Sequence, residues 1–326
     1  MPYDVITVGS ATVDVFAYTE RADLLKLRRN HKEQEFIAYP LGSKILINAL
    51  HFDIGGGGTN CAVAFARLGL GTAYLGKIGN DNNAKHIIEA LKKEKVKFIG
   101  LQAEGPSPYS VILDSTARDR TILTYKGVSD KLHFSEIDKN RLKTRWFYLS
   151  SLLEESYKTI ERLAAYARKR GIRVAFNPSM YLARKGGGFL AKLLKNTDVI
   201  ILNTEEAGIL TGMQGFNAML KALYNMGPDI AVITDGPKGA YCFDGAETHF
   251  IKTHNIRVLE TTGAGDAFAS SFIAGLIIGG DIKTALQMGL ANAESLLTHY
   301  GAKNKLLTRQ EMFRRIKTRP GKITPL

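Results

Sequence analysis

The sequence has little cysteine and almost no tryptophan: Cys61, Cys242 and a single Trp among 326 residues. Two cysteines cannot build a disulfide framework, and neither belongs to a C-x-x-C pair. They read as small buried hydrophobes of a chain kept in a reducing compartment. Long apolar runs are also missing. The longest weakly polar stretch, residues 267–280, falls short of the roughly 20 residues that span a bilayer, and Met1-Pro2-Tyr3-Asp4 carries no basic leader. The expectation is therefore a cytoplasmic protein with no membrane partner. Two phosphate-binding fingerprints are absent too. There is no G-x-x-x-x-G-K-[ST] and no G-x-G-x-x-G; the looser G-x-G-x-x-A at 186–191 follows Arg184-Lys185 rather than a strand. A P-loop enzyme and a dinucleotide-dependent oxidoreductase lose their main support.

What is present is an ordinary globular composition, 45% hydrophobic and 23% charged, with 32 glycines and a net charge of +13. That hydrophobic content excludes extended disorder. The charge is uneven: residues 301–326 hold eight basic groups against Glu311 alone, a net +7 of the +13. A nucleic-acid surface would want aromatics among those charges, and the tail offers Phe313 alone, so a solvated charged face is the preferred reading.

Short β-branched runs alternate with helical periodicities along the chain. Residues 4–10 read as a strand ending in Gly9, 62–68 as a helix, 72–78 as a strand and 83–93 as a basic amphipathic helix. The rhythm continues with strands at 146–150, 172–176, 199–202 and 230–234 and a helix at 154–170. Such alternation predicts an α/β protein with a mainly parallel sheet covered on both faces. Residues 15–53 and 108–125 break it and read as strands outside that sheet, the second as a hairpin around 114–120. Asp244-Gly245 marks another hairpin, and apolar helices are expected at 264–278 and 282–299. No internal repeat is evident.

Two glycine-rich segments could carry chemistry. Glu260-Thr-Thr-Gly-Ala-Gly-Asp-Ala-Phe268 places Gly-Ala-Gly at the start of an apolar helix, where unpaired N–H groups and the helix dipole favour an anion. Asp266, in the first turn, suits proton abstraction from a hydroxyl, or else simply caps the helix. Gly55-Gly-Gly-Gly-Thr-Asn60 would let a ligand approach the backbone, with Asn60 as a directional polar group; a plain flexible loop is the alternative.

These segments, in this order and about 200 residues apart, resemble the two signatures of the ribokinase-like (PfkB) family of carbohydrate and nucleoside kinases. Gly55 to Gly79 is similar to its N-terminal signature and Thr261 to Asp266 to its C-terminal one; the likeness runs from Gly9-Ser10 to Gly301-Ala302. The resemblance implies a three-layer α/β/α sandwich forming a single domain over 1–326, with a small β-sheet lid from insertions at about 15–53 and 104–127. It implies Asp266 as general base and the amides of Gly263, Ala264 and Gly265 as the anion hole. Asp14, at the end of the first strand, with Gly57, Gly58 and Asn60, would bind the sugar. Asn177, Asn203, Thr234, Gly236, Gly239 and Asn292 would line the nucleotide. Glu206 of Asn203-Thr-Glu-Glu206 would help hold Mg²⁺, largely through water, unless it is an ordinary first-turn acid. Glu260 stands where many members carry Asp beside a monovalent cation, so K⁺ is named as a candidate ion.

The expected reaction is transfer of the γ-phosphoryl group of Mg-ATP to a ribose- or fructose-like sugar or a nucleoside. A phosphosugar such as fructose 6-phosphate is the runner-up, and a non-catalytic sugar- or nucleotide-binding regulator the reading from another class. Arg118, Arg120 or Lys126 of the lid hairpin would bind a substrate phosphate or carboxylate if they faced inward. The lid would also supply a homodimer contact.

Overall fold

The computed structural model describes residues 2–20, 23–29, 32–114, 120–299 and 301–326. Its main sheet has ten strands, and along its width they run Ile323–Pro325, Thr248–Lys252, Gly239–Phe243, Ile230–Thr234, Val199–Asn203, Arg173–Asn177, Thr144–Ser150, Tyr3–Val8, Thr72–Leu75 and Lys97–Phe98. Seven of them, from Ile230–Thr234 to Lys97–Phe98, are joined by parallel pairings. The hairpin at Asp244-Gly245 and the final strand pair antiparallel.

The runs at 146–150, 172–176 and 199–202 are apolar at nearly every position because each buries both faces. Ile6, Val8, Phe147, Leu149, Val174 and Phe176 point into one core, against the helix Glu154–Arg170 and its neighbours. Val5, Trp146, Tyr148, Ala175 and Val199 point into the other, against Gly57–Arg67, Ala264–Ile278 and Ile282–Leu297. Two helical layers thus enclose one sheet, the three-layer sandwich expected.

Helix Ala264–Ile278 packs against Ile282–Leu297 and lies so deep that the residues from Ala267 to Gly275 are all buried. Its apolar character on every side follows from that position. Helix Glu154–Arg170 has the opposite design, with Glu154 and Glu155 in the first turn, Arg168 to Arg170 in the last, and Gly171 closing it in the left-handed region.

A second sheet holds Arg120–Tyr125, Tyr109–Asp114, Thr12–Tyr18 and Ala49–Gly55 in that order. A separate hairpin joins Asp23–Arg29 to Lys32–Ala38. Arg118 lies outside the described residues, as does the side chain of Arg120.

Four local expectations need correction. The first helix starts at Gly57 rather than Ala62; its glycines are helical because of what they pack against, as described below. The run at 72–78 splits at Gly76, and Lys77–Ile78 leaves the main sheet to pair with Leu101–Gln102. Residues 39–48 are not a strand, so the apolar run from Leu41 enters the second sheet at Ala49. The basic tail is not simply a solvated face: it forms the helix Arg309–Thr318, opened by a Thr308–Glu311 capping box and anchored by buried Met312, and then the sheet's last strand. The T-x-x-E spacing was the available signal for that helix.

Candidate active site

Four consecutive parallel strands end in Ser150, Asn177, Asn203 and Thr234. The carboxyl ends of parallel strands in an open α/β sheet are where such folds gather ligands, because the loops there diverge. All four residues line one cavity of about 320 Å³, together with Ser10, Gly57, Glu206, Gly265, Asp266 and Lys126. Thr234 and Gly265 also line a second cavity of about 660 Å³, whose walls include Gly236, Gly239, His254, Phe268, Leu290 and Glu294. The two cavities meet at those shared residues.

Asp266 lines the first cavity, next along the chain to Gly265 at the junction. Its Oδ2 accepts a hydrogen bond from Asn60 Nδ2 at 2.9 Å, across the junction of the Gly57 and Ala264 helices. Burial pushes the Asp266 carboxyl above the usual carboxylate range, and Asn60, Cys61 and the charge of Lys303 pull it back. Of the three anion-hole amides, that of Ala264 is engaged, donating to Thr261 O at 3.3 Å. The N–H groups of Gly263, Gly265 and Asp266 have no acceptor among the described residues. Gly263 takes φ +75°, turning the chain into the helix.

The glycines of the other segment differ in kind. A Cβ on Gly57 would lie 3.1 Å from Ser150 Oγ and 3.6 Å from Asp266 Oδ1, so this position faces the cavity. Gly58 does not: a Cβ there would fall 2.8 Å from both the Gly9 carbonyl carbon and the Tyr74 ring. It packs the helix closely on the first strand's exit and is not among the residues lining the cavity.

Asp14 is likewise displaced from the expected strand end. The first strand stops at Val8, and Asp14 lies within Thr12–Tyr18 of the second sheet, opposite Asp53 and beside Ser110. Its carboxylate occupies the space a side chain at Gly55 would need. Burial raises its pKa to about 6, against the pull of Ser110 and the Lys303 and Lys126 charges.

On the other side, Asn203 Oδ1 accepts from Glu206 N at 2.8 Å, and Glu206 Oε2 accepts from Asn203 N at 3.1 Å. The N-x-x-E motif is therefore a capping box that also faces the cavity. Burial raises the Glu206 pKa above its ordinary value. Among the described residues no group of three or more His, Cys, Asp or Glu is arranged around one point. One carboxylate with nearby amides suits Mg²⁺, which keeps most of its waters. Asn177 donates to Ile201 O at 2.7 Å, leaving its oxygen as the group that can address the cavity.

Two candidates are drawn elsewhere. Asn292 is fully buried, donating to Ser271 Oγ and accepting from Leu307 N, so it braces two helices and a loop; Leu290 and Ala293 reach the cavity instead. Glu260 accepts from Thr262 Oγ1 and, at 2.7 Å, from Gly301 N. Its carboxylate thus staples the loop after helix Ile282–Leu297 and is not an open cation ligand.

The motif reading missed Ser150, whose buried hydroxyl has no hydrogen-bond partner among the described residues and faces Gly57. It also missed Lys303, whereas Lys126, one of the three lid cations expected to meet a substrate phosphate or carboxylate if they faced inward, does line the cavity. A polar residue ending four of the parallel strands was the signal for Ser150; Lys303 was hidden among the tail's charges.

Comparison with known proteins shows the family and the fold. The family model described as pfkB family carbohydrate kinase matches residues 4–309. An uncharacterised sugar kinase of Archaeoglobus fulgidus is 30% identical over 75% of this chain and 98% of its own. An ATP-dependent 6-phosphofructokinase of Thermoanaerobacterium thermosaccharolyticum is 25% identical over 92% of this chain and 89% of its own. Among solved structures, a ribokinase from Thermotoga maritima superposes with a TM-score of 0.81 at 21% identity, covering 97% of this chain and 99% of that one.

Proposed function

The chain belongs to the PfkB family of carbohydrate kinases, and from that premise we propose that it moves the γ-phosphoryl group of Mg-ATP to a hydroxyl of a small ribose- or fructose-like sugar or a nucleoside. The observation that carries the proposal is the position of Asp266. It has a carboxylate held by Asn60, in the strand-end cavity next to the junction at Gly265, beside N–H groups of a helix start that have no acceptor among the described residues.

In this reading the larger, mostly apolar cavity takes the nucleoside of ATP against Gly236, Gly239 and Leu290, and the strand-end cavity takes phosphates and acceptor. Asp266 accepts the acceptor's proton as its hydroxyl attacks. The N–H groups of Gly263, Gly265 and Asp266 hold the transferring group's charge, the step where positioning and electrostatics supply most of the rate. Asp14, Asn60 and Gly57 orient the sugar. Glu206, through water, would hold Mg²⁺, which when bound neutralises phosphate charge. No step needs K⁺ at Glu260. Residues 1–326 act as one unit in the cytoplasm, where the free, buried Cys61 and Cys242 stay reduced.

The second sheet serves as a lid that excludes water during transfer. Leu50, Phe52, Ile122 and Leu123 on it are about half exposed or more, an apolar surface suited to a second copy of the chain. Light scattering of Phe52→Asp against wild type tests that dimer: an unchanged mass would remove it.

A phosphorylated acceptor is the second reading, favoured by Lys126. It lines the cavity, and its charge acts on Asp14 and Asp130, while no side-chain hydrogen bond or close ion pair holds its ammonium among the described residues. The deciding experiment is ADP release from Mg-ATP across sugars, phosphosugars, sugar acids and nucleosides, with Asp266→Asn as control. Acceptor-dependent release by wild type alone supports the kinase and identifies the acceptor. Silence from folded protein moves the non-catalytic binding reading ahead.

A further inference from the structure

Lys303 is 9% exposed, far from the solvated position its place in a basic tail suggests. The loop that carries it is fixed from several sides. Gly301 N donates to Glu260 at 2.7 Å, Arg67 Nη1 to Lys303 O at 2.7 Å, and Ser295 Oγ to Lys305 O at 2.9 Å. Arg67 is itself held by both oxygens of Glu94, at 2.9 and 2.5 Å. A loop tied this way delivers a long, otherwise mobile side chain to a set place.

That place is the back of the Asn60–Asp266 hydrogen bond. Lys303 Nζ lies 3.4 Å from Asn60 Oδ1 and 3.5 Å from Asp53 Oδ1, while Asn60 Nδ2 donates to Asp266 Oδ2. A primary amide accepts at one end and donates at the other, and an ammonium can only donate. The ammonium therefore selects the Asn60 rotamer whose NH₂ faces Asp266. Without it the Asp266 carboxylate alone orients the amide, and the hydrogen bond loses the charge that polarises its donor. Asp53 belongs to the second sheet, so the same ammonium also ties that sheet to the site.

We propose that Lys303 is a positioning residue for phosphoryl transfer, holding Asn60 in the orientation that keeps Asp266 ionised and ready to take the acceptor's proton. The proposal rests on Asp266 being the base. The charged and titratable groups facing the pair are Asp14 and Asp53 from the second sheet, Arg67 and Cys61 from helix Gly57–Arg67, Lys126 at the end of the hairpin, and Tyr148 from the main sheet. Lys303 supplies the positive charge that acts on Asp266, whose protonated form burial alone would favour; burial also lowers the pKa of Lys303 itself, against which Asp53 and Asp14 hold its charge.

The test compares wild type with Lys303→Met and Lys303→Arg by two readouts. The first is the titration midpoint of the Asp266 carboxyl, followed by carbon NMR; it needs no turnover. Lys303→Met should raise that midpoint by about one pH unit, and Lys303→Arg should restore most of it. The second is the pH profile of kcat/KM with the best acceptor. Its acid limb should move up by the same amount, kcat at neutral pH should fall about tenfold, and KM for Mg-ATP should stay within about twofold. If Lys303→Met does not fold, Lys303→Gln, which removes the charge with little change of length, should show the same displaced midpoint. An unmoved Asp266 midpoint in a folded, uncharged variant overturns the proposal. Wild type silent toward every acceptor would instead sink the kinase reading, while the NMR titration still decides the role of Lys303.

Discussion

Two glycine clusters open two helices of this protein, and Gly55 and Gly58 of the first serve a different end from Gly265 of the second. In the first, Gly58 is glycine so that a helix can press on the backbone of Gly9, and Gly55 so that Asp14 has somewhere to stand. In the second, Gly265 has nothing within 4 Å of where a Cβ would be; its bareness leaves N–H groups and space open to a ligand. One cluster is a packed joint and the other an anion-facing turn. On sequence alone both read as glycine-rich loops in front of a helix. The difference lies in what each backbone faces, which neither composition nor spacing encodes.

The largest effect should come from the residue that joins the two clusters. Asp266→Asn keeps the shape and the Asn60 contact within reach but cannot accept a proton. Turnover should fall about a thousandfold with ATP affinity unchanged, measured by steady-state kinetics and calorimetry. Near-normal turnover would leave the second cluster as a mere helix start. Next comes Gly58→Ala, whose methyl would sit 2.8 Å from backbone and ring atoms that cannot move aside. Urea unfolding should show a loss of about 3 kcal/mol, roughly 150-fold in the folding constant, with the slope unchanged. A fully stable variant would show the first cluster to be no packed joint.

Much of the framework was legible because it follows from burial. Residues 146–150 and 199–202 are apolar at almost every position, and only a strand covered on both faces needs that. The boundaries at Glu154–Arg170, Ile230–Thr234 and Ala264–Ile278 coincide with their expected ones for the same reason, together with strong acids, bases or glycines at their ends. The candidate site was legible where a local pattern carries it, as in the glycine turn at Gly263 and the first-turn carboxylate of Asp266. It was illegible where function arises from distant parts of the chain meeting. Asp14 was placed on the wrong strand because the break at Gly9-Ser10 between two sheets has no local signature. Asn292 was misread because a polar residue among apolar ones suggests a ligand, whereas Ser271 and the Leu307 amide satisfy it. Lys303 was counted with its charged neighbours because burial of a lysine depends on Asp53, some 250 residues earlier.

Asp14 over Gly55 gives the comparison a pH dimension. Its folded pKa is about 6, above the ordinary value of 3.8. Between those values the folded chain holds a proton that the unfolded chain releases, so stability declines as pH rises through that window. Asp14→Asn removes the penalty. Its melting temperature should exceed wild type above about pH 6 and match it near about pH 4, while the acceptor KM rises about tenfold for want of a charged acceptor. Equal melting temperatures at both pH values would mean the carboxylate carries no burial cost.

The smallest effects separate the glycines of the second cluster. Gly263→Ala meets φ +75° and a methyl 2.9 Å from the Ala302 Cβ, so a loss of about 1–2 kcal/mol is expected, with turnover reduced as the turn relaxes. Gly265→Ala meets neither strain nor neighbours. Alanine is the better helix former, so thermal unfolding should show a gain of about 0.5 kcal/mol. The N–H remains, so the anion site keeps its donor and kcat should hold. The new methyl, however, projects where the two cavities join, and KM for Mg-ATP should rise a few-fold. A gain in stability with a rise in that KM and no change in kcat is the signature of a glycine kept bare for a ligand. A loss of stability would make it one more packed joint, and the two clusters would then differ in degree rather than in kind.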